Sequence, residues 1–98
     1  MIPVHFHPAA ELELLREVSY YSRARKGSGI RFAAALEQVV ARAASRPLSG
    51  AMSFKNTRGM LVKGFPFTLV YRVDADRILV VAVSPHRKRP NHWVSRVE

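Results

Sequence analysis

The chain has 98 residues, 48% of them hydrophobic, and no cysteine; 16 Lys and Arg face 7 Asp and Glu, for a formal net charge of +9. That length suits one small domain over residues 1–98, the missing cysteines exclude disulfide staples and thiolate metal sites, and no apolar run approaches the ~20 residues of a membrane span. With neither a signal-peptide layout nor a low-complexity tract, the expectation is a folded cytoplasmic protein whose positive field attracts nucleic acid or an acidic protein.

The segment MIPVHFH alternates Ile2, Val4 and Phe6 with Pro3 and His5, the period of a short strand. Pro3 has no N–H for a ladder, which places this strand at an edge or near its end. A helix starts after His7, with Pro8 in the first turn, where a missing N–H leaves nothing unpaired. Glu11 and Glu13 complement its positive end, and Arg23, Arg25 and Lys26 its negative end. Leu14, Val18 and Tyr21 recur at helical spacing, with Ala10 and Leu15 widening the stripe. Of the pair Tyr20-Tyr21, one ring enters the helix seam and the other stays at the rim.

KGSG, from Lys26 to Gly29, ends the helix, because its glycines adopt the positive φ that stops one. Ser28 is the expected cap of a second helix from about Gly29 to Arg46, with Phe32, Leu36, Val39 and Ala43 as its apolar stripe. The two make an αα-hairpin. SRPLSG closes it, since the residue before Pro47 is pushed out of the α region.

Beyond Gly50 the chain reads as strands. AMSFK is a weak one; RGMLVKG and FTLVYRV flank the break Gly64-Phe65-Pro66, and RILVVAVS follows the turn Asp74-Ala75-Asp76. Phe67, Leu69, Tyr71 and Val73 share one face, with Thr68 and Arg72 opposite. Ile78 to Val83 is apolar on both faces, the mark of a central strand covered on each side. The fold class expected is α+β: a short N-terminal strand and an α-helical hairpin packed on a C-terminal antiparallel β-sheet. One helix pair covers one face. The other needs the C-terminal tail or another chain, since a bare apolar face is an interface.

Chemistry concentrates in SPHRKRPNHW, which follows the central strand and is stiffened by Pro85 and Pro90. Arg87 and Arg89 can fork onto phosphate or carboxylate, and Trp93 offers a stacking face. Cutting RNA through its 2′-hydroxyl needs a base, an acid and cations on the developing charge. His86 or His92 fit the first two roles, and Arg87 or Arg89 the last. The structural alternative makes Trp93 a core plug and pairs the arginines with acidic side chains. Arg58 and Lys63, with Lys55 before them, either line the same surface or are edge charges that discourage aggregation. His5 and His7 lie two apart on a strand, but a metal needs three or four ligands and the nearby carboxylates serve the helix start. No metal and no cofactor is expected. KGSG lacks the Lys-Ser/Thr and the preceding strand of a phosphate loop, and no G-x-S-x-G nucleophile motif occurs.

Taken in order, FHPAAELELLREVSYYSRARKGSGIRFAAALEQV, RPLSG, LVKGFPFTLVYRV and ILVVAVSPHRKRPNHWVSR resemble the RelE/ParE toxin superfamily, more narrowly its ParE, or plasmid-stabilisation, branch. Three pieces carry the match: the helix from His7-Pro8-Ala9-Ala10 to Tyr20-Tyr21 before a Gly-x-Gly hairpin; Phe65-Pro66-Phe67 leading to Leu69-Val70-Tyr71; and His86 with Arg87-Lys88-Arg89-Pro90 and Trp93. The resemblance implies a toxin of a type II toxin–antitoxin pair, in a hetero-oligomer with an acidic antitoxin that lays an amphipathic helix and extended segments over it. ParE-type toxins poison DNA gyrase; RelE-type toxins cut mRNA within the ribosome.

RelE-type toxins carry lysines on the strand before LVY, an arginine just before LVY, an arginine after the last strand, and a tail tyrosine. Gly59 and Leu61 stand where the lysines would be, Thr68 replaces the first arginine, and Trp93 replaces the tyrosine. Arg87 alone matches. The expectation is therefore a non-enzymatic gyrase inhibitor contacting target or antitoxin through Arg58, Lys63, His86, Arg87, Arg89 and Trp93. The alternatives are a ribosome-dependent endoribonuclease using Arg87 with His86 or His92, and a non-toxic nucleic-acid-binding module.

Overall fold

The computed structural model describes residues 2–98, and a three-residue strand opens it. Strand β1 (Val4–Phe6) leads into helix α1 (Pro8–Ala24), a tight turn and helix α2 (Ser28–Ser45). Strands β2 (Ala51–Met52), β3 (Thr57–Leu61), β4 (Phe67–Val73) and β5 (Ile78–Pro85) follow. They form one sheet in the order β1-β5-β4-β3-β2. From β2 to β5 the pairing is antiparallel, as the hairpin signals require. The expectation of a purely antiparallel sheet is corrected at β1, which joins the outer edge of β5 in parallel, Val4 opposite Ile78 and Phe6 opposite Val80. Parallel neighbours cannot be joined by a tight turn: the helical hairpin carries the chain from β1 to β2 at the opposite edge, and the meander from β2 to β5 brings it back beside β1.

His7 caps α1 by accepting the Ala9 N–H on Nδ1 at 3.0 Å, which leaves the ring proton on Nε2. The second helix begins at Ser28, not Gly29: Gly27, at φ 82°, is its N-cap, and the Ser28 hydroxyl accepts from Arg31 at 2.8 Å. Gly29 is thus helical, and its missing side chain serves a different need. A Cβ there would meet Ser22 Oγ and stand 2.8 Å from the Val18 carbonyl oxygen on α1. Gly29→Ala is expected to destabilise the fold by about 1–3 kcal/mol through overpacking at this crossing, measured by urea unfolding.

Helix α2 buries Phe32, Leu36, Val39 and Ala43 against Phe67, Leu69, Tyr71, Ile78, Val80 and Val83 of the sheet. Tyr21 stacks on Phe32 at 5.2 Å between centroids and meets Phe65 edge-on at 5.1 Å, while Tyr20 stays exposed at the rim. Ala10 is buried, but Leu15 points outward and is exposed, so the α1 stripe is narrower than the sequence suggests. The Tyr71 hydroxyl is buried too. It donates to the Pro47 carbonyl at 2.7 Å and accepts the Gly50 N–H at 3.1 Å, pinning the turn after α2 to the sheet.

The opposite face is closed by the chain itself. Val70 pairs with Ala82 but Tyr71 pairs with Val80, leaving Val81 as the extra residue of a bulge. The bulge puts Val81 and Ala82 in one apolar cluster with Val70, while Val80 and Val83 remain in the core under the helices. Trp93, 3% exposed, plugs this second cluster, with Val94 and Val97 beside it. Arg96 then latches the tail to α1, giving Glu13 two hydrogen bonds of 2.9 Å and the Val81 carbonyl a third of 2.9 Å. Glu13 Oε1 also accepts the Val83 N–H at 3.1 Å, where β5 runs past the end of β1. Glu13 is therefore a latch for the tail and the sheet edge, and Glu11 is the acidic residue of the first helical turn.

Candidate functional site

The tail turn leaves β5 beside the β3–β4 connection, where the His86 N–H donates to the Pro66 carbonyl at 2.9 Å. The Lys88 N–H closes onto the Pro85 carbonyl at 3.1 Å, and Asn91, at φ 60°, turns the chain back over the sheet. His86, Arg87, Lys88 and Arg89 are exposed on this turn, as is Lys63 on the connection beside it. The cations of the turn reach different neighbours. Arg87 lies close enough to α1 for its charge to act on the Tyr21 phenol, whereas Lys88 and Arg89 act on His92.

Both histidines are engaged. His86 Nε2 lies 3.0 Å from Thr68 Oγ1, and His92 Nε2 lies 3.0 Å from Ser84 Oγ. Burial pushes the His92 pKa below the usual imidazole range; Glu13 opposes that shift, and Lys88, Arg96 and Arg89 reinforce it. Trp93 is the core plug, so its assignment as a stacking or partner-binding face is corrected: its ring is used against Val70, Val81 and Ala82. Arg58 is half-buried, with Nη1 donating to the Leu48 carbonyl at 3.0 Å and the Gly50 carbonyl at 2.9 Å. It braces the same turn that Tyr71 holds, away from the tail cluster.

Carboxylates are scarce around the cations. Among the described residues the ion pairs are Arg72 and Arg77 with Asp74, and Arg96 with Glu13. Arg87 and Arg89 have no such partner, and neither do Lys63 and Lys88.

A second feature is apolar. Val4 and Phe6 of β1, Leu14 of α1, and Leu36, Val40 and Ala44 of α2 line a groove of about 440 Å³ with Glu37 at its margin. Ala33 and Glu37 also border a shallower depression of about 310 Å³ that reaches Gly29 and Ile30, so the trough follows α2 along most of its length. The sequence held a signal for it. Val40, Ala33 and Ala41 lie beside the Phe32-Leu36-Val39-Ala43 stripe and widen the apolar face beyond what the sheet covers.

No cluster of three or more His, Cys, Asp or Glu fit for a metal occurs among the described residues, nor is any helix there long and apolar enough to cross a membrane. The two imidazoles hydrogen-bond to strand hydroxyls, and the residue at the tail tyrosine's place is buried.

The helical hairpin on a mixed sheet, closed by a basic tail, is matched by a family of toxin domains. The family model for the ParE toxin of type II toxin-antitoxin system, parDE, matches residues 4–90, and the chain belongs to that family. The fold is also that of a solved structure described as the chromosomal ParDE TA system from P. aeruginosa, with a TM-score of 0.73 and 16% identity over 87% of this chain and 96% of that one. None of the curated proteins matches the chain.

Proposed function

We propose that this ParE-family chain inhibits growth by binding DNA gyrase in the cytoplasm, and that a cognate acidic antitoxin neutralises it in a hetero-oligomer. The observation that carries the antitoxin half is the juxtaposition of an open apolar trough along α2 with exposed cations that lack carboxylate partners. An amphipathic helix would set its apolar ridge in the trough, and acidic segments beside it would meet the basic turn. The gyrase half rests on membership of the ParE family and on the missing charge set of the RNA-cleaving relatives, with Thr68 and buried Trp93 in two of its places.

Two measurements test the proposal. Supercoiling by purified gyrase is expected to fall as the chain is added and to recover with the antitoxin; full supercoiling at excess chain would rule out the target. Val40→Glu places an unpaired carboxylate in the trough, and its burial costs several kcal/mol. It is expected to weaken the antitoxin complex by about 100-fold or more while leaving gyrase inhibition in place. Unchanged affinity would move the antitoxin off the trough.

A further inference from the structure

Two hydroxyls and two imidazoles meet on the tail side of the sheet. Thr68 and Ser84 are cross-strand partners on β4 and β5, so their side chains leave the same face next to each other. Each is met by a histidine Nε2 at 3.0 Å, His86 on Thr68 and His92 on Ser84. The Thr68–His86 pair is exposed and the Ser84–His92 pair is partly buried. Leu61, the β3 partner of Thr68, flanks the row on the other side and is exposed.

The charge around this row has one sign. Lys88 and Arg89 lie in the turn that joins the two histidines, and neither has a carboxylate partner among the described residues. The carboxylate whose charge reaches His92 is Glu13, and both of its oxygens already accept from Arg96. A row of hydroxyls and imidazoles with exposed cations on the adjoining turn and no free carboxylate suits an anion. Cross-strand neighbours hold their Cβ atoms about 4.5–5.5 Å apart, a gap that one tetrahedral oxyanion spans by accepting from both hydroxyls. A planar carboxylate offers two oxygens in one plane, whereas a phosphate also has oxygen left for an imidazole N–H and the Arg89 fork. The exposed Thr68–His86 bond is a weak closure, which an arriving anion replaces at little cost.

We propose that Thr68, Ser84, His86 and His92, with Lys88 and Arg89, form a binding site for a phosphate group carried by a nucleotide or by a nucleic-acid backbone. The site binds and does not cleave; no bond is made or broken. It does not rest on the gyrase reading or on the antitoxin trough, which lies on the helical side of the sheet, although it shares Lys88 and Arg89 with the basic turn that the antitoxin's acidic segments would meet.

The test titrates the full chain with inorganic phosphate, with adenosine monophosphate and with a short single-stranded oligoribonucleotide, following the imidazole resonances of His86 and His92. Saturable shifts of both rings are expected, with an anion that chloride at equal ionic strength does not mimic. The near-isosteric pair Thr68→Val and Ser84→Ala, combined, is expected to weaken binding about tenfold or more, from the loss of hydrogen bonds to a charged group. Should that variant fold poorly, Arg89→Ala on the exposed turn gives the same readout. Lys55→Ala, in the turn that precedes β3, is expected to change affinity much less. A tighter oligoribonucleotide identifies the backbone as the source, and equal affinity identifies a free phosphate ester. Shifts that track ionic strength alone, or that survive in the Thr68→Val/Ser84→Ala and Arg89→Ala variants, overturn the proposal.

Discussion

Trp93→Ala is expected to remove about 3–5 kcal/mol of folding stability, the usual cost of emptying a large aromatic site in a core. A domain of this size holds roughly 5–15 kcal/mol in all, so the variant keeps a reduced margin or unfolds at ordinary temperature. The effect is large because the indole, 3% exposed, closes a whole face of the sheet. Without it Val70, Val81 and Ala82 lose their cover, and Val94 and Val97 lose the anchor that brings them there. Urea unfolding followed by far-UV circular dichroism measures the loss; Trp93→Phe, which keeps most of the ring, should recover much of it. A loss below about 1 kcal/mol would mean that the tail does not cover this face in solution.

The latch beside it should be nearly as sensitive. The Arg96–Glu13 pair is mostly buried, with side-chain exposures of 16% and 12%. Glu13→Ala strips Arg96 of its counter-charge and leaves the Val83 N–H without its acceptor. Breaking one partner of such a pair costs about 3–5 kcal/mol when fully buried; with this residual exposure, about 2–3 kcal/mol is expected. Arg96→Ala should cost a similar amount and also free the Val81 carbonyl. Removing both charges should cost less than the sum of the single losses, because neither is then left uncompensated. A double-mutant cycle on urea midpoints checks this. Additive losses would show that the two residues contribute separately and that no latch exists.

These two results bear on how the second face of the sheet is covered. From composition alone either the tail or another chain could supply that cover. The structure gives the role to the tail, because the bulge at Val81 turns two consecutive apolar residues toward the same side. Under the proposed function the antitoxin takes the trough on α2 and the exposed basic turn instead.

Much of the architecture was legible because it is written in periodicity. The Phe32-Leu36-Val39-Ala43 stripe, the alternation from Phe67 to Val73 and the apolar run from Ile78 each have a spacing that one element satisfies. Pro3 marked the edge strand for an equally local reason, the N–H it lacks. The candidate site was legible by composition and less so by role. His86, Arg87 and Arg89 are exposed on one turn, but Trp93 and Arg58 proved to hold structure together. An indole or a guanidinium reads the same in a sequence whether its neighbour is a protein carbonyl, an apolar face or a ligand.

The sequence by itself determined the α+β class, the order of the elements, the net charge and the turn on which the cations cluster, since each follows from residue type and near-neighbour spacing. Tertiary structure alone decided the parallel docking of β1, the phase change at Val81, the Glu13–Arg96 latch across 83 positions and the pairing of His86 and His92 with Thr68 and Ser84. Such contacts join residues distant along the chain, and hydrogen bonding between them depends on strand register and chain direction, which no local pattern of residues encodes.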